Sequence, residues 1–206
     1  MANMYINSFI NTKNLKLALY GASGHAREVA AQMNREVTFF VDDEYVNEFT
    51  KSISEFDPTE YCIMIAIGNS NDRHSAFKKL PKETTFFSFI HPTSILMGNG
   101  VYVGEGSFIG AYSILTTNIK IGDHTLLNRG NHIGHDTIIG NFFSAMPGSI
   151  VSGNVNIGDN VYIGTNSSIR EKINVCSSVT LGMNSCILND INESGIYVGS
   201  PAKKIK

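Results

Sequence analysis

Residues 103–187 read VGEGSFIGAYSILTTNIKIGDHTLLNRGNHIGHDTIIGNFFSAMPGSIVSGNVNIGDNVYIGTNSSIREKINVCSSVTLGMNSCI, and every sixth residue of this stretch is apolar. The set is Val103, Ile109, Leu115, Ile121, Leu127, Ile133, Ile139, Ala145, Val151, Ile157, Ile163, Ile169, Val175, Leu181 and Ile187. A period of six fits neither an α-helix, at about 3.6 residues per turn, nor an isolated strand, at about two. It is typical of a parallel β-helix, in which one hexapeptide forms one face and one turn.

The hexapeptides also predict which side chains point inward. We expect the apolar residue of each hexapeptide to face the interior of the β-helix. The glycine that often follows it, at positions 104, 110, 122, 134, 140, 158, 164 and 182, is expected to adopt the positive φ of a tight turn. Three faces close one coil, so this run predicts about five coils. A β-sandwich is excluded, because its turns do not recur at fixed intervals of six.

Composition restricts the class of protein. The chain has 206 residues, of which 42% are hydrophobic and 17% charged, as expected for one or two globular domains. A net charge of −2 gives no reason to expect nucleic acid or an anionic membrane as a partner. Cys62, Cys176 and Cys186 lack a CxxC spacing and are interpreted as buried small hydrophobic residues in a reducing compartment, not as disulfides or a zinc site. We find neither an apolar run long enough to span a membrane nor a signal peptide, so we predict a cytoplasmic location.

Strands alternate with helices before the repeats begin. We predict strands at residues 15–21, 37–41, 61–68 and 85–90, and helices at residues 24–34 and 71–80, the second capped by Asn71. This alternation predicts a small parallel sheet with crossover helices. Pro92 is interpreted as the hinge to the β-helix, because it ends a strand. The expected domains are therefore an arm (1–14), an α/β domain (15–91), the β-helix (92–195) and a tail (196–206).

The turn at residues 20–26, YGASGHA, follows the first of these strands and opens a helix. A phosphate can bind there, because glycines allow close approach and the helix N-terminus offers free N–H groups. Its G-x-x-G spacing differs from G-x-G-x-x-G, so a plain βα turn and a nucleotide or nucleotide-sugar pocket both remain open. Asp42, Asp43, Gly68 and Asn69 follow the next two strands and are expected at the same edge of the sheet.

Two histidines and an aspartate lie within residues 128–136, NRGNHIGHD. The hexapeptide register places His132 and His135 outward, with Asp136 beside His135. Three interpretations remain open: a metal site with His124, a polar surface histidine, and a general base oriented by a carboxylate. A metal site would resemble the β-helical carbonic anhydrases, whose histidines are more widely spaced.

The YGASGH turn, Asp42-Asp43, IAIGN (65–69), the hexapeptides, GHD (134–136) and VGSPAKKI (198–205) together resemble one family over residues 15–206. It comprises the hexapeptide-repeat sugar acetyltransferases, especially bacillosamine-type N-acetyltransferases and sialic acid O-acetyltransferases. The resemblance implies an α/β N-terminal Rossmann-like small domain and a C-terminal left-handed parallel β-helix. It also implies a homotrimer with active sites between subunits, acetyl-CoA as co-substrate and no metal. The expected acceptor is the amino group of a nucleotide-linked, UDP-activated 4-amino-6-deoxy sugar.

The resemblance also implies roles for individual residues. His135 matches the catalytic base, which accepts a proton as the amine attacks the thioester directly, and Asp136 matches the supporting acid. The residues that match the nucleotide-sugar pocket are Ser23, Gly24, His25, Asp42, Asp43, Gly68, Asn69 and, beside the sugar, Asn128. Those that match the acetyl-CoA site are Ser144, where many relatives carry His, Gly153, Gly164, Thr165, Gly182, Met183 and Lys203. Arg27, Arg129 and Lys172 receive no role and are interpreted as surface charges.

Two other functions remain open at this point. A sialic acid or other sugar O-acetyltransferase would use the same histidine, because an alcohol also has to lose its proton. A β-helical scaffold without catalytic activity would bind the nucleotide sugar without releasing CoA.

Overall fold

The computed structural model describes residues 9–206, and it begins with a small α/β domain. The elements are β1 (Phe9–Ile10), β2 (Lys16–Tyr20), α1 (Gly24–Met33), β3 (Thr38–Val41), a 3₁₀-helix (Asp43–Tyr45), β4 (Lys51–Ser52), a 3₁₀-helix (Ile53–Glu55), β5 (Tyr61–Ile65), α2 (Ser70–Phe77) and β6 (Thr85–Phe86). Strands β4-β3-β2-β5-β6 form one parallel sheet in that order. Every residue of β5 is buried, as expected for a central strand covered on both faces.

The rest of the chain is a three-sided, left-handed parallel β-helix, as predicted. Its first strands are β7 (Ser88–Ile90), β8 (Ile95–Leu96), β9 (Val101–Val103), β10 (Phe108–Ile109), β11 (Ile114–Leu115), β12 (Ile119–Ile121), β13 (Leu126–Leu127), β14 (His132–Ile133) and β15 (Ile138–Ile139). The later strands are β16 (Ser144–Ala145), β17 (Ile150–Val151), β18 (Asn156–Ile157), β19 (Tyr162–Ile163), β20 (Ser168–Ile169), β21 (Asn174–Val175), β22 (Val179–Leu181), β23 (Cys186–Ile187), β24 (Gly195–Val198) and β25 (Lys203–Lys204).

Successive strands of the β-helix take turns on three faces. Face 1 contains β7, β10, β13, β16, β19, β22 and β24, face 2 contains β8, β11, β14, β17, β20 and β23, and face 3 contains β9, β12, β15, β18 and β21. We name the turns between them corner 1–2 (for example residues 128–131), corner 2–3 (134–137) and corner 3–1 (140–143). Each coil takes 18 residues, so a residue on one coil lies beside the residue 18 positions later.

The interior of the β-helix holds the predicted apolar residues. Every member of the sixth-residue set is buried except Val103, which is partly buried on the first coil. Leu115, Ile133 and Val151 illustrate the stacking, because each pairs with the next along face 2. Burying one such side chain contributes about 1.5–3 kcal/mol, so the repeat itself supplies the core.

The glycines after the inward residues serve a different purpose from the predicted one. Gly122, Gly134 and Gly164 do not have positive φ. A Cβ at each would instead lie 2.5–2.7 Å from backbone of the next coil, closer than real Cβ atoms come. The left-handed backbone falls later in the turn, at residues such as Asn118 and Asn154, with φ of 55° and 58°. Close stacking of coils therefore selects these glycines.

Three boundaries also differ from the sequence prediction. The strand expected at 85–90 is two strands in different sheets, β6 in the small sheet and β7 on face 1, so the β-helix begins before Pro92. Helix α2 is capped by Asn69, not Asn71, because its Oδ1 accepts the backbone N–H of Asn71 and Asp72. The tail contributes β24, which extends face 1 beside β22.

The described part of the predicted arm extends face 1 at its other end. Strand β1 pairs antiparallel with β7, and Asn11 Nδ2 donates to the carbonyl of Phe86 at 2.9 Å. This pairing covers a sheet edge that would otherwise expose free backbone groups. Residues 1–8 of the predicted arm lie outside the described residues.

Arg73 of α2 fixes the α/β domain to the β-helix. Its side chain is 1% exposed and bonds to carbonyls on both sides of the interface, including Ile67 at 2.6 Å and His124 at 2.9 Å. Further bonds reach the carbonyls of Phe142 and Phe143. Burial lowers the pKa of this guanidinium, but the array of carbonyl oxygens compensates for its lost hydration.

Candidate active site

The predicted base and its carboxylate meet on corner 2–3. His135 Nδ1 lies 2.7 Å from Asp136 Oδ2, and both side chains are about half exposed. Asp136 adopts φ of 56°, which the turn provides, and its Oδ1 accepts a hydrogen bond from Asn118 Nδ2 at 2.5 Å. The hydrogen bonds from Asn118 and then His135 hold the pKa of Asp136 below its usual value. An ionised Asp136 therefore favours the tautomer in which His135 Nδ1 carries the proton and Nε2 is free to accept one.

Gly153 lies beside His135 on the next coil, 18 residues later. A Cβ at Gly153 would come within 2.6 Å of His135 Nε2, so only glycine leaves room for the ring. Among residues 9–206, no acceptor is found for the Gly153 N–H. The His135 ring thus lies against the backbone of Gly153, and a base beside an N–H donor is an arrangement that can serve acyl transfer.

The structure contradicts the metal alternative for the three histidines. His124 lies on corner 3–1, is 3% exposed and stacks on Phe142 with ring centroids 5.0 Å apart. His135 lies on a different corner, and His132 lies on face 2 between corners. Within the described part of the chain, no group of three His, Cys, Asp or Glu side chains could hold a metal ion.

A cleft between the two domains gathers most of the predicted nucleotide-sugar residues. It has a volume of about 520 Å³, and we call it the interdomain cleft. The residues that line it are Gly24, His25, Glu28, Gly68, Asn69, Asn128, Arg129, Met146, Pro147 and Tyr162. Five of the eight predicted positions are among them. Ser23 precedes them at the N-cap position of α1.

His25 and Asn128 have unused hydrogen-bonding capacity in this cleft. The Nε2 atom of His25 is buried, with no partner found among residues 9–206, and burial lowers the pKa of the imidazole. Asn128 Oδ1 accepts the Arg129 N–H at 2.8 Å, so its amide NH₂ is available to a ligand. Asn69 differs, because its side-chain oxygen is already used to cap α2.

Asp42 and Asp43 line a second cavity of about 380 Å³, which shares no lining residue with the interdomain cleft. Asp42 Oδ1 accepts from Tyr20 Oη at 2.6 Å and from Lys79 Nζ at 2.7 Å. Burial raises the pKa of Asp42, but the bonds from Lys79 and Tyr20 outweigh this, and the net pKa is lowered. Asp43 accepts a short hydrogen bond from Ser52. The structure therefore separates these carboxylates from the residues around His25.

The predicted acetyl-CoA residues other than Ser144 fall at three places. Gly164, Thr165, Gly182 and Met183 share corner 1–2, and Met183 is 69% exposed. Lys203 follows in the tail strand β25 and is exposed, whereas its neighbour Lys204 bonds to Glu193 at 3.0 Å. Gly153 lies apart from these residues, on corner 2–3.

The structure does not support the prediction that Ser144 contacts acetyl-CoA. Its side chain is 0% exposed beneath the α/β domain, and its Oγ donates to the carbonyl of Gly68 at 2.8 Å and accepts from Arg73. It cannot contact acetyl-CoA there, because docking of the α/β domain covers this part of face 1. Its hydroxyl instead joins the two domains.

Sequence reasoning missed several residues of these sites. Asn118 supports Asp136 from one coil below, and the 18-residue spacing between them is the signal that could have revealed it. Met146, Pro147 and Tyr162 line the interdomain cleft from the two coils above Asn128. Tyr162 lies 18 positions after Ser144 on face 1, with a pKa raised by burial.

Comparisons with known proteins agree with this arrangement. The family model of the PglD N-terminal domain matches residues 16–80. A GDP-perosamine N-acetyltransferase of Escherichia coli O157:H7 is 27% identical over 75% of this chain and 78% of its own. WeeI from Acinetobacter baumannii AYE aligns over 93% of this chain and 100% of its own, with a TM-score of 0.83 and 25% identity. The acetyltransferase domain of PglB from Neisseria gonorrhoeae FA1090, in complex with acetyl coenzyme A, covers the same shares with a TM-score of 0.75 and 29% identity.

The chain is therefore similar to sugar acetyltransferases of this fold, and one of the similar structures contains bound acetyl coenzyme A. The PglD N-terminal domain match falls within the small α/β domain, and the acetyltransferase structures align over both domains. No helix within residues 9–206 is long and apolar enough to cross a membrane.

Proposed function

We propose that the protein transfers the acetyl group of acetyl-CoA to the amino group of a nucleotide-linked 4-amino-6-deoxy sugar, in the cytoplasm, with His135 as general base. The observation that carries this proposal is the His135–Asp136 pair, 2.7 Å apart and beside Gly153 on an exposed corner. The GDP-perosamine N-acetyltransferase relative supports the acceptor class. UDP is the nucleotide expected from the sequence, and GDP is the alternative that this relative favours.

The reaction needs one proton carrier and one oxyanion donor. The neutral amine attacks the thioester carbon, forming a C–N bond, while His135 Nε2 accepts the amine proton and Asp136 stabilises the resulting imidazolium. The Gly153 N–H donates to the developing oxyanion. Collapse of the tetrahedral intermediate breaks the C–S bond, and the imidazolium returns the proton to the CoA thiolate. No covalent enzyme intermediate is required.

The positions of these residues support a site shared between two copies of the chain. The interdomain cleft and Gly164, Thr165, Gly182 and Met183 lie over face 1 and corner 1–2, whereas His135 lies on corner 2–3, opposite face 1. The chain between Arg129 and His135 spans at most about 20 Å and crosses the whole of face 2. A closed threefold arrangement brings corner 1–2 of one protomer to corner 2–3 of the next, so we propose a homotrimer.

The test is release of CoA thiol, measured with UDP-, GDP- and dTDP-linked amino sugars and with free and CMP-linked sialic acid. We expect release with one nucleotide-linked amino sugar, and a kcat about 10²–10⁴-fold lower for His135→Gln. His132→Gln is the matched control, because His132 is exposed on the same coil and is expected to retain activity. A loss below tenfold for His135→Gln would reject its role as base.

The same panel separates the remaining alternatives. Acetylation of sialic acid alone would favour the O-acetyltransferase alternative. Binding of a nucleotide sugar without thiol release would favour the scaffold. Neither is the expected result, because the relatives described above are acetyltransferases of amino sugars or of the same fold with acetyl-CoA bound.

A further inference from the structure

One ion pair crosses the interdomain cleft. Arg129 Nη1, on corner 1–2, lies 3.3 Å from Glu28 Oε2, on α1, and each side chain is 49% exposed. Among residues 9–206, these are the only lysine, arginine, aspartate or glutamate side chains that line this cleft. Exposed ion pairs of this kind are weak, so either side chain can leave the pair for a partner that binds it more strongly.

The wall of the cleft opposite Arg129 favours an anion. Helix α1 begins at Gly24, and Ser23 at its N-cap makes no side-chain hydrogen bond to it. Its first turn contains no acidic residue, so the free N–H groups and the positive end of the helix dipole remain unmatched. His25, in the same turn, has the buried Nε2 atom for which the described residues offer no partner. The first turn of α1 thus offers hydrogen-bond donors and positive potential that the described residues leave unmatched.

We propose that Arg129 binds the diphosphate of the nucleotide-linked sugar, and that Glu28 holds Arg129 in the free protein and releases it when the diphosphate enters. This inference rests on the proposed function. A guanidinium matches phosphate oxygens in a bidentate manner, and a diphosphate offers more charge than one carboxylate. Asn128 Oδ1 accepts the Arg129 backbone N–H at 2.8 Å, which holds the backbone of Arg129 next to the expected sugar contact.

The structure leaves room for this exchange. A Cβ added at Gly130, the residue after Arg129, would meet no atom within 4 Å, so the turn is open on that side. Glu28 occupies the second turn of α1, beyond the free N–H groups of the first, so it does not neutralise them itself. Its carboxylate would repel a bound diphosphate unless the two separate.

The test is calorimetric binding of UDP, GDP and the corresponding nucleosides to the full-length protein. For Arg129→Gln we expect diphosphate affinity to fall about ten- to hundredfold while nucleoside affinity stays unchanged. For Glu28→Gln we expect diphosphate affinity to rise about two- to fivefold, because the competitor is gone. Lys16→Gln is the matched control, since it breaks the exposed Lys16–Glu60 pair at the other end of the sheet.

Each other outcome overturns the inference. Unchanged diphosphate affinity in Arg129→Gln would remove Arg129 from the site, and equal loss of nucleoside affinity would make its role structural. Weaker binding by Glu28→Gln would show that Glu28 assists the ligand instead of competing with it. Thiol release by the unaltered protein separates this question from the proposed function. Arg129-dependent diphosphate binding without acetyl transfer rejects only the function, and transfer without Arg129 dependence rejects only the inference.

Discussion

A site shared between protomers predicts that two inactive variants restore each other. His135→Ala removes the base on corner 2–3. Gly68→Leu fills the interdomain cleft, and the backbone accepts it, because a Cβ at Gly68 would meet only the His25 ring, at 3.9 Å. Each variant alone is expected to be inactive. When chains of both kinds mix at random in equal amounts, a site has an intact cleft from one chain and an intact His135 from another in about one case of four.

The expected activity of the mixture is therefore about a quarter of the unaltered protein's. The variants are unfolded together, refolded and assayed for CoA thiol release, with separately refolded variants combined afterwards as the control. Unaltered protein mixed with His135→Ala should retain about half of its activity, which calibrates the refolding yield. If the mixed variants remain as inactive as either parent while this calibration succeeds, the cleft and the base must belong to one chain, and the two-subunit geometry is refuted.

Three further predictions concern single residues. Gly153→Ala should lower kcat at least about tenfold with little change in melting temperature, because its Cβ would displace the His135 ring; normal kcat in a folded variant would contradict this. Burial lowers the pKa of His124 to about 4, so the unfolded state binds the proton first as pH falls. The free energy of unfolding should therefore hold its full value above about pH 6.5 and decrease by about 3 kcal/mol toward pH 4. Urea unfolding should detect this decrease in the unaltered protein but not in His124→Phe. Lys203→Ala should raise the KM for acetyl-CoA several-fold and Lys204→Ala should not; equal effects would remove Lys203 from the phosphate site.

The β-helix could be predicted from the sequence because its repeat places one apolar residue at every inward position. An inward position accepts only apolar residues, so the register of strands and corners followed directly. The same register placed His135 and Asp136 outward on one corner, where the structure has them. The match of these residues to a catalytic pair remains a prediction that activity measurements must decide.

Contacts between the two domains could not be predicted in the same way. Ser144 is outward in the hexapeptide register, and nothing local shows that another domain covers it. Arg73 looks like a surface charge on a polar helix, yet carbonyls from distant turns surround it. The cap of α2 was misplaced by two residues, from Asn69 to Asn71, because both are good cap residues and helix ends are poorly defined by local sequence.

The joint between the domains has a consequence for how this protein can be divided or recombined. Phe87 is the single residue between β6 and β7, is 0% exposed, and donates its N–H to Ile63 in the small sheet. Two residues later, Phe89 donates to Ser107 in the β-helix. With no spacer to absorb a change in angle, an α/β domain from another protein could replace this one only if it presented its last strand in the same direction. The α/β domain and the β-helix are therefore expected to be inherited and exchanged together. An expression fragment that starts at Pro92 would lack the first strand of face 1.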